Sequence, residues 1–130
     1  MPAYEYLPRP AAPTAQYLAT ILDQYYIRKW NTNQDTVTAV KSWREWPMVL
    51  RMPDVHSDFT ILVHEGAVTS VKQGLPKEPR ILVTMLSETM MRIYYDETTA
   101  AIEAIAGRIK IRGNETERRR LLAAISYLTW

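Results

Sequence analysis

The segment from Gly107 to Asn114 constrains the fold of this chain most, because it changes secondary structure twice within eight residues. Gly107 suits the left-handed position that closes many helices. Residues 108–112 then alternate charged and apolar side chains with a period of two, which is typical of a half-buried strand. Gly113 permits a sharp turn, and Asn114 with Glu117 three residues later predicts a helix N-cap and its capping-box partner. The segment therefore predicts a helix end, a short strand and a new helix in immediate succession.

The last helix follows directly from this segment and carries one apolar face. The strand before it fixes where the helix begins, so we expect that face to lie against the sheet and to cover whatever is beneath it. The apolar face is predicted to comprise Leu121, Leu122, Ile125 and Leu128.

The composition is that of an ordinary single globular domain. The chain has 130 residues, of which 47% are hydrophobic and 23% are charged. A formal charge of +2 does not indicate nucleic-acid binding, which normally shows as a concentrated basic face. Cysteine is absent, and no apolar run approaches the roughly 20 residues of a membrane span. The start of the chain lacks the order of a signal peptide. We therefore expect a cytoplasmic protein with no nucleic-acid partner and no stable membrane insertion.

The chain before the sheet divides into an arm and a helical extension. Residues 1–13 contain four of the eight prolines and are predicted to form a flexible Pro-rich arm. Thr14 can cap a helix that runs to about Trp30. We therefore predict an N-terminal helical extension at residues 14–35 and the main domain at residues 36–130. The apolar stripe of the helix is predicted to be Leu18, Ile21, Leu22 and Tyr25.

A run of strands followed by helices predicts the fold class. A second short helix is expected over Asp35–Trp43. Ser87 is predicted to cap a helix that carries Met90, Met91 and Tyr94, and another helix carries Ile105 and ends at Gly107. This order predicts an α+β fold with one mostly antiparallel sheet and helices covering a single face. Strands are predicted at Met48–Met52, Asp58–His64, Ala67–Lys72 and Arg80–Leu86, with Glu65-Gly66 as a tight hairpin turn.

The order of these elements resembles the sterol carrier protein-2 (SCP2) family. The resemblance rests on the hairpin at Phe59–Val71, the strand at Ile81–Leu86 with the Ser87 helix, and above all the glycine, strand, glycine and Leu-rich helix that end the chain. It covers roughly residues 36–129. It implies a five-stranded sheet covered by helices, with an apolar cavity between them that holds fatty acids, acyl-CoA esters, sterols or other lipids. It implies no catalytic residues, and we predict no cofactor.

The candidate ligand-binding residues lie where the last central strand meets the late helices. A methionine cluster can line a pocket that adapts to different apolar ligands, although methionines also fill gaps in ordinary cores. Arg118 borders the apolar face of the last helix. It is predicted either to meet a carboxylate or phosphate at the cavity mouth, or to lie on the surface with its charge in water. We expect a cavity of roughly 300–1,000 Å³. The predicted ligand-binding residues are Met85, Met90, Met91, Tyr94, Ile105, Arg118 and Leu122.

Two further groups of polar residues are candidate sites. The first group lacks the third ligand of a metal site, so no metal is predicted; its members are His56, Asp58, His64 and Glu65. The second group shares one strand face and is interpreted as a solvated outer face of the sheet. The alternative is a basic surface for anionic lipid headgroups or a CoA nucleotide. The members of this group are Arg108, Lys110 and Arg112. No phosphate loop or dinucleotide fingerprint is present.

Three hypotheses of function follow. The leading hypothesis is a carrier that encloses a hydrophobic small molecule or lipid in an apolar cavity. The second is an enzyme on the same scaffold, in which a buried acid or base such as Asp96, Glu103 or a tyrosine acts on an enclosed polycyclic or acyl substrate. The third is an interaction domain whose cavity has filled in and whose N-terminal arm docks onto a second subunit, which makes a homodimer.

Overall fold

The computed structural model describes residues 6–128 of the chain. A 3-10 turn at Pro53–Val55 separates the first two strands, and the predictions for residues 1–5 and 129–130 lie outside the described residues. In chain order the elements are α1 (Ala15–Tyr25), a π-helical turn (Tyr26–Trp30), α2 (Gln34–Ala39), β1 (Trp46–Met52), β2 (Ser57–His64), β3 (Ala67–Gln73), β4 (Ile81–Thr84), α3 (Ser87–Tyr94), α4 (Ala100–Ile105), β5 (Lys110–Gly113) and α5 (Glu115–Ser126).

The five strands form one sheet in the order β3-β2-β1-β4-β5. β1 pairs with β2 antiparallel and with β4 parallel, and the two remaining pairs are antiparallel. The predicted α+β class with a five-stranded, mostly antiparallel sheet is therefore confirmed. Because β1 and β4 run in the same direction, their carboxyl ends meet at one edge of the sheet.

One face of the sheet is apolar and is covered by the helices, as predicted. Leu50 of β1 lies in register with Phe59 of β2 and Val83 of β4, and all three side chains are buried in one core cluster with residues of α1, α3 and α5. Side chains alternate between the two faces of a strand. Arg51 therefore lies on the opposite face, where its Nε donates to Asp58 at 2.7 Å.

The N-terminal helix begins as predicted but changes geometry before it ends. The Thr14 hydroxyl caps α1 by accepting the amide of Tyr17 at 3.1 Å, and the predicted apolar stripe is buried. The α-helix stops at Tyr25 rather than Trp30, and the last five residues form the π-helical turn. A π-turn needs an amide to reach five residues back, and the amide of Asn31 reaches the carbonyl of Tyr26 at 2.9 Å.

Side-chain contacts attach this π-turn to the sheet. The Asn31 side chain pairs with both backbone groups of Val68 in β3 at 2.8 Å. The indole nitrogen of Trp30 donates to the carbonyl of Gly66 in the β2–β3 hairpin turn at 2.9 Å. These bonds satisfy buried polar atoms and fix the side chains of the turn relative to the sheet.

The start of the last helix is confirmed in part. The Asn114 side chain accepts the amides of Thr116 and Glu117, which makes it the N-cap of α5. The predicted capping box is incomplete, because the Glu117 carboxylate accepts hydrogen bonds from the Trp43 indole and from Arg120. Glu117 therefore attaches the first turn of α5 to the segment that follows α2.

Two predicted boundaries are wrong, one at the start of α3 and one at the start of β5. Leu86 is the N-cap residue of α3 and makes no side-chain capping bond, while Ser87 is the first helical residue. The Asp54 carboxylate, from the 3-10 turn after β1, accepts both the amide of Ser87 at 2.9 Å and its hydroxyl at 2.6 Å. The cap is thus supplied from a distant part of the chain, which no local sequence pattern shows. β5 starts at Lys110 instead of Arg108.

The described part of the N-terminal arm contacts its own chain. The amide of Leu7 donates to the Tyr94 hydroxyl at 3.1 Å, and Arg9 forms an ion pair with Glu97 at 2.9 Å. The Tyr6 hydroxyl also donates to Asp96. The arm therefore lies over the end of α3 and the turn that follows it.

Candidate functional site

A small apolar cavity lies between the sheet and the helices, beneath α5. Its volume is about 40 Å³, which is space for a few water molecules. None of the described residues that line it is charged. The lining residues are Tyr25, Tyr26, Trp30, Met48, Val83, Met85, Met90, Ile93, Ala100, Ile109, Ile111, Leu121, Ile125 and Leu128.

The cavity has the predicted location but not the predicted size. Its volume is well below the expected range of roughly 300–1,000 Å³. Three aromatic side chains from the end of α1 and the π-turn contribute to its wall: Tyr25, Tyr26 and Trp30. Aromatic side chains are large, so they occupy space that an enclosed ligand would otherwise take. The predicted volume of the cavity is therefore wrong.

Four of the predicted ligand-binding residues are buried, and two of these line the cavity. Met85 follows β4 and Met90 lies in α3, and both belong to the wall. Met91 and Tyr94 are buried in the core but are not part of the cavity lining. The Tyr94 hydroxyl accepts the Leu7 amide and donates to Gln24 at 2.6 Å, so its hydrogen-bonding capacity is used within the chain.

The other three predicted ligand-binding residues face outward. Ile105 is 88% exposed and Leu122 is 45% exposed, and Arg118 is exposed as well. None of the three lines the cavity. For Leu122 the reason is helix register: Leu121, which is 2% exposed, continues the buried stripe of α5 through Ile125, and the next residue is rotated by about 100°. The predicted location of these three residues at the cavity is therefore wrong, and their role in ligand binding stays a prediction.

Sequence reasoning missed the aromatic wall contributed by the N-terminal helix. The family resemblance starts near residue 36, so it makes no prediction for the side chains that precede it. The available signal was the pair Tyr25-Tyr26 followed by Trp30, since two adjacent buried aromatics do not fit one narrow helical stripe. The π-turn allows all three to be buried.

Tyr26 is the most unusual polar residue of the cavity wall. It is 8% exposed, and burial raises the pKa of its hydroxyl well above the ordinary tyrosine value. Within residues 6–128 its hydroxyl makes no hydrogen bond, although its ring packs against Tyr25 and Trp30 with centroids 5.3 and 5.5 Å apart. Among the described residues, the buried side-chain polar atom without a partner is the indole nitrogen of Trp46, so the Tyr26 hydroxyl keeps some accessible surface.

A surface groove of about 290 Å³ lies next to the cavity, at the edge where β1 and β4 end. Met85 lines both the groove and the cavity, so it lies where the two spaces adjoin. Thr84 and Lys110 are register partners in β4 and β5 and form part of the groove wall, as does Arg108. The groove is therefore more polar than the cavity and carries two cationic side chains.

The two carboxylates considered for catalysis are engaged in ion pairs. Glu103 is 0% exposed, and it accepts Arg92 Nη1 at 2.9 Å and Arg108 Nε at 3.1 Å. The Arg108 hydrogen bond and the nearby arginine charges outweigh burial and hold the pKa of Glu103 below its usual range. Asp96 accepts hydrogen bonds from Tyr6 and Lys29. A general acid needs a raised pKa, so Glu103 is arranged as a structural anion.

The remaining polar candidates do not assemble into a site. His64 lies 2.9 Å from a Glu45 oxygen, and Asp58 is paired with Arg51. Across residues 6–128 no group of three or more His, Asp or Glu side chains is placed to hold a metal ion. Among the helices described, none is both long and apolar enough to cross a membrane.

Comparison with solved structures identifies the fold. No protein-family model and no curated protein matches the chain. The UbiJ-SCP2 ubiquinone synthesis protein superposes with a TM-score of 0.59 at 9% identity, over 89% of this chain and 95% of that one. Palmitated SCP2L2 from Aedes aegypti superposes with a TM-score of 0.56 at 20% identity, over 82% and 91%.

A module of a larger enzyme has the same fold. A double mutant of the sec-alkyl sulfatase PisA1 superposes with a TM-score of 0.59 at 18% identity and covers 91% of this chain, but the matched part is only 17% of the sulfatase. Together with the cavity between sheet and helices, these similarities settle the architecture. The chain has the fold of the sterol carrier protein-2 domains.

Proposed function

We propose that this chain binds a small hydrophobic molecule or lipid between its sheet and α5, and acts as a carrier of it. The observation that carries the proposal is a cavity whose lining residues are all uncharged and mostly apolar, at the interface of sheet and helices. Burial of a ligand's hydrocarbon there contributes roughly 25 cal/mol per Å². The fold similarity to palmitated SCP2L2 supports the same class of ligand.

Binding requires the cavity to enlarge. A space of about 40 Å³ does not hold a lipid, so the wall has to move when a ligand enters. Two flexible methionines, Met85 and Met90, lie in the wall, and unbranched thioether chains change rotamer at low cost. We infer that the ligand enters from the groove by displacing Met85, because this side chain lines both spaces. Residues 14–35 then supply part of the binding wall.

Native mass spectrometry tests this proposal directly. Protein purified without detergent is expected to carry a small molecule that is released as a defined mass on collisional activation. Leu122→Ala is the control variant. It changes only the exposed side of α5, so it is expected to carry the same adduct as the wild type. Wild-type protein that carries no adduct and takes up no added fatty acid or alcohol would contradict the proposal.

The interaction domain is the second candidate, because the small volume of the cavity favours it. Its signature is a homodimer that takes up no ligand. The described part of the arm contacts its own chain, so a dimer through this arm requires the contacts of Leu7 and Arg9 to be released. The same mass spectra report the oligomeric state. The cytoplasmic location, the arm at residues 1–13 and the enzyme alternative stay predictions.

A further inference from the structure

We propose that the Tyr26 hydroxyl is the polar anchor of the cavity, and that the ligand is an uncharged molecule with a hydrogen-bonding oxygen beside its apolar body. This inference rests on the proposed function and specifies its ligand class. A ketone, ester or alcohol has such an oxygen, whereas a carboxylate carries a charge as well.

The first argument is the unused hydrogen-bonding capacity of Tyr26. Tyr26 lines the cavity, and its hydroxyl has no hydrogen-bond partner within residues 6–128. The Trp30 indole in the same wall already donates to the carbonyl of Gly66, and Tyr25 already has an interaction partner. The hydroxyl is not among the fully buried unpaired atoms of the described residues, so it keeps accessible surface and can be reached. A ligand oxygen in the cavity can therefore form a hydrogen bond with it without displacing a partner within the described chain.

The second argument is that Tyr26 is held in place. It is the first residue of the π-turn, whose other end is fixed to the sheet through Asn31 and Val68. π-Helical turns are rare and are frequently located at functional sites. The ring is also packed between Tyr25 and Trp30. A fixed donor selects a ligand by the position of its oxygen, since little ordering entropy is lost on binding.

The third argument is the absence of charge in the wall. None of the described lining residues is charged, and Arg118, the predicted partner of an acidic headgroup, is exposed and does not line the cavity. A carboxylate that entered would lose its hydration without gaining an ion pair. The cavity therefore favours a neutral oxygen over an acid.

Three ligands with one skeleton test the inference. Butylbenzene has no oxygen, 4-phenyl-2-butanone places a ketone on the same chain, and 3-phenylpropanoate replaces the ketone end with a carboxylate. Each is titrated calorimetrically into the wild-type protein, Tyr26→Phe and Tyr94→Phe. Tyr94→Phe is the matched control, because it removes a buried hydroxyl that is bonded within the chain and does not line the cavity.

Tyr26→Phe is expected to weaken 4-phenyl-2-butanone by roughly three- to tenfold and to leave butylbenzene unchanged or slightly tighter. Tyr94→Phe is expected to change the two affinities equally. The acid is expected to bind more weakly than the ketone in all three proteins. In the infrared, the carbonyl stretch of the bound ketone is expected at lower frequency in the wild type than in Tyr26→Phe. Circular dichroism checks that both variants fold.

The experiment distinguishes a failure of the proposed ligand binding from a failure of the role assigned to Tyr26. If the wild type binds neither butylbenzene nor the ketone, the proposed function is wrong and the inference falls with it. If both ligands bind but Tyr26→Phe changes them equally, or leaves the carbonyl frequency unchanged, only the role of Tyr26 is wrong. Tighter binding of the acid than of the ketone would overturn the choice of a neutral ligand.

Discussion

At the scale of a single residue, Gly66 shows why the β2–β3 hairpin turn requires glycine at this position. Its φ is +88°, in the left-handed region that favours glycine, and a Cβ built on it would lie 2.2 Å from the carbonyl oxygen of Val37 in α2. Gly74 also has a positive φ, +112°, but a Cβ there would meet no atom within 4 Å. The two positions therefore share backbone strain and differ in space.

Gly66→Ala is expected to destabilise the protein more than Gly74→Ala. The positive φ costs each variant about 1–2 kcal/mol. The contact with Val37 adds a further 1–3 kcal/mol or so to Gly66→Ala, because α2 has to move away from the hairpin. Urea midpoints of the two variants measure the difference. Equal midpoints would show that α2 moves freely and does not restrict the turn.

Glu103 matters at the scale of elements, because one buried carboxylate connects three of them. It lies in α4 and accepts hydrogen bonds from Arg92 of α3 and from Arg108 just before β5. The amides of Arg108 and Ile109 also donate to its backbone carbonyl at 2.9 and 3.2 Å. The chain is thereby held as it passes from α4 into β5, which positions the last strand and α5.

Glu103→Gln is expected to reduce the free energy of unfolding by about 1.5–3 kcal/mol at neutral pH, since charged hydrogen bonds to two arginines are lost. The folded-state pKa of Glu103 is lowered. Its contribution is therefore complete above the unfolded pKa of about 4.3 and is lost as the pH falls through the folded value.

The difference between wild type and Glu103→Gln should consequently narrow between about pH 7 and about pH 2 in urea unfolding. Glu115→Gln serves as the control, because Glu115 forms an exposed pair with Arg119 at 2.8 Å on the surface of α5. That variant is expected to change stability by less than about 0.5 kcal/mol at either pH. A constant difference for Glu103→Gln across the pH range would exclude the ionised carboxylate as the cause.

At the scale of the whole molecule, the cavity is a packing defect beneath α5. Interiors are normally close-packed, and an unfilled space removes contacts from its lining. Ala100 of α4 lines this cavity, whereas its neighbour Ala101 does not. A site for a hydrophobic ligand and a perfectly filled core exclude each other, so stability and binding are expected to change in opposite directions.

Ala100→Val is expected to raise the free energy of unfolding by about 0.5–2 kcal/mol by filling the space. The same variant is expected to weaken binding of 4-phenyl-2-butanone, because the added methyl groups occupy the ligand's volume. Ala101→Val, the control on the same helix, should produce neither change. Thermal unfolding and calorimetric titration measure the two effects. Simultaneous gains in stability and affinity would place the ligand elsewhere.

Local patterns in the sequence determined the elements and the fold class. The cap at Thr14, the alternation of β2, the turn at Gly66 and the N-cap at Asn114 depend on residues close to one another in the chain, and each is located as predicted. The order of strands and helices was sufficient for an α+β sheet with one covered face. Such features follow from periodicity and backbone preference, which act over a few residues.

Only the tertiary structure decided the size and chemistry of the cavity. Whether Leu121 or Leu122 faces the sheet depends on the rotation of α5, and Glu117 and Trp43 help to set that rotation from distant parts of the chain. The aromatic wall depends on a π-turn that a half-buried Asn31 attaches to β3. Volume and hydrogen-bond partners are properties of side chains far apart in sequence, so packing, and not local pattern, left Tyr26 without a partner.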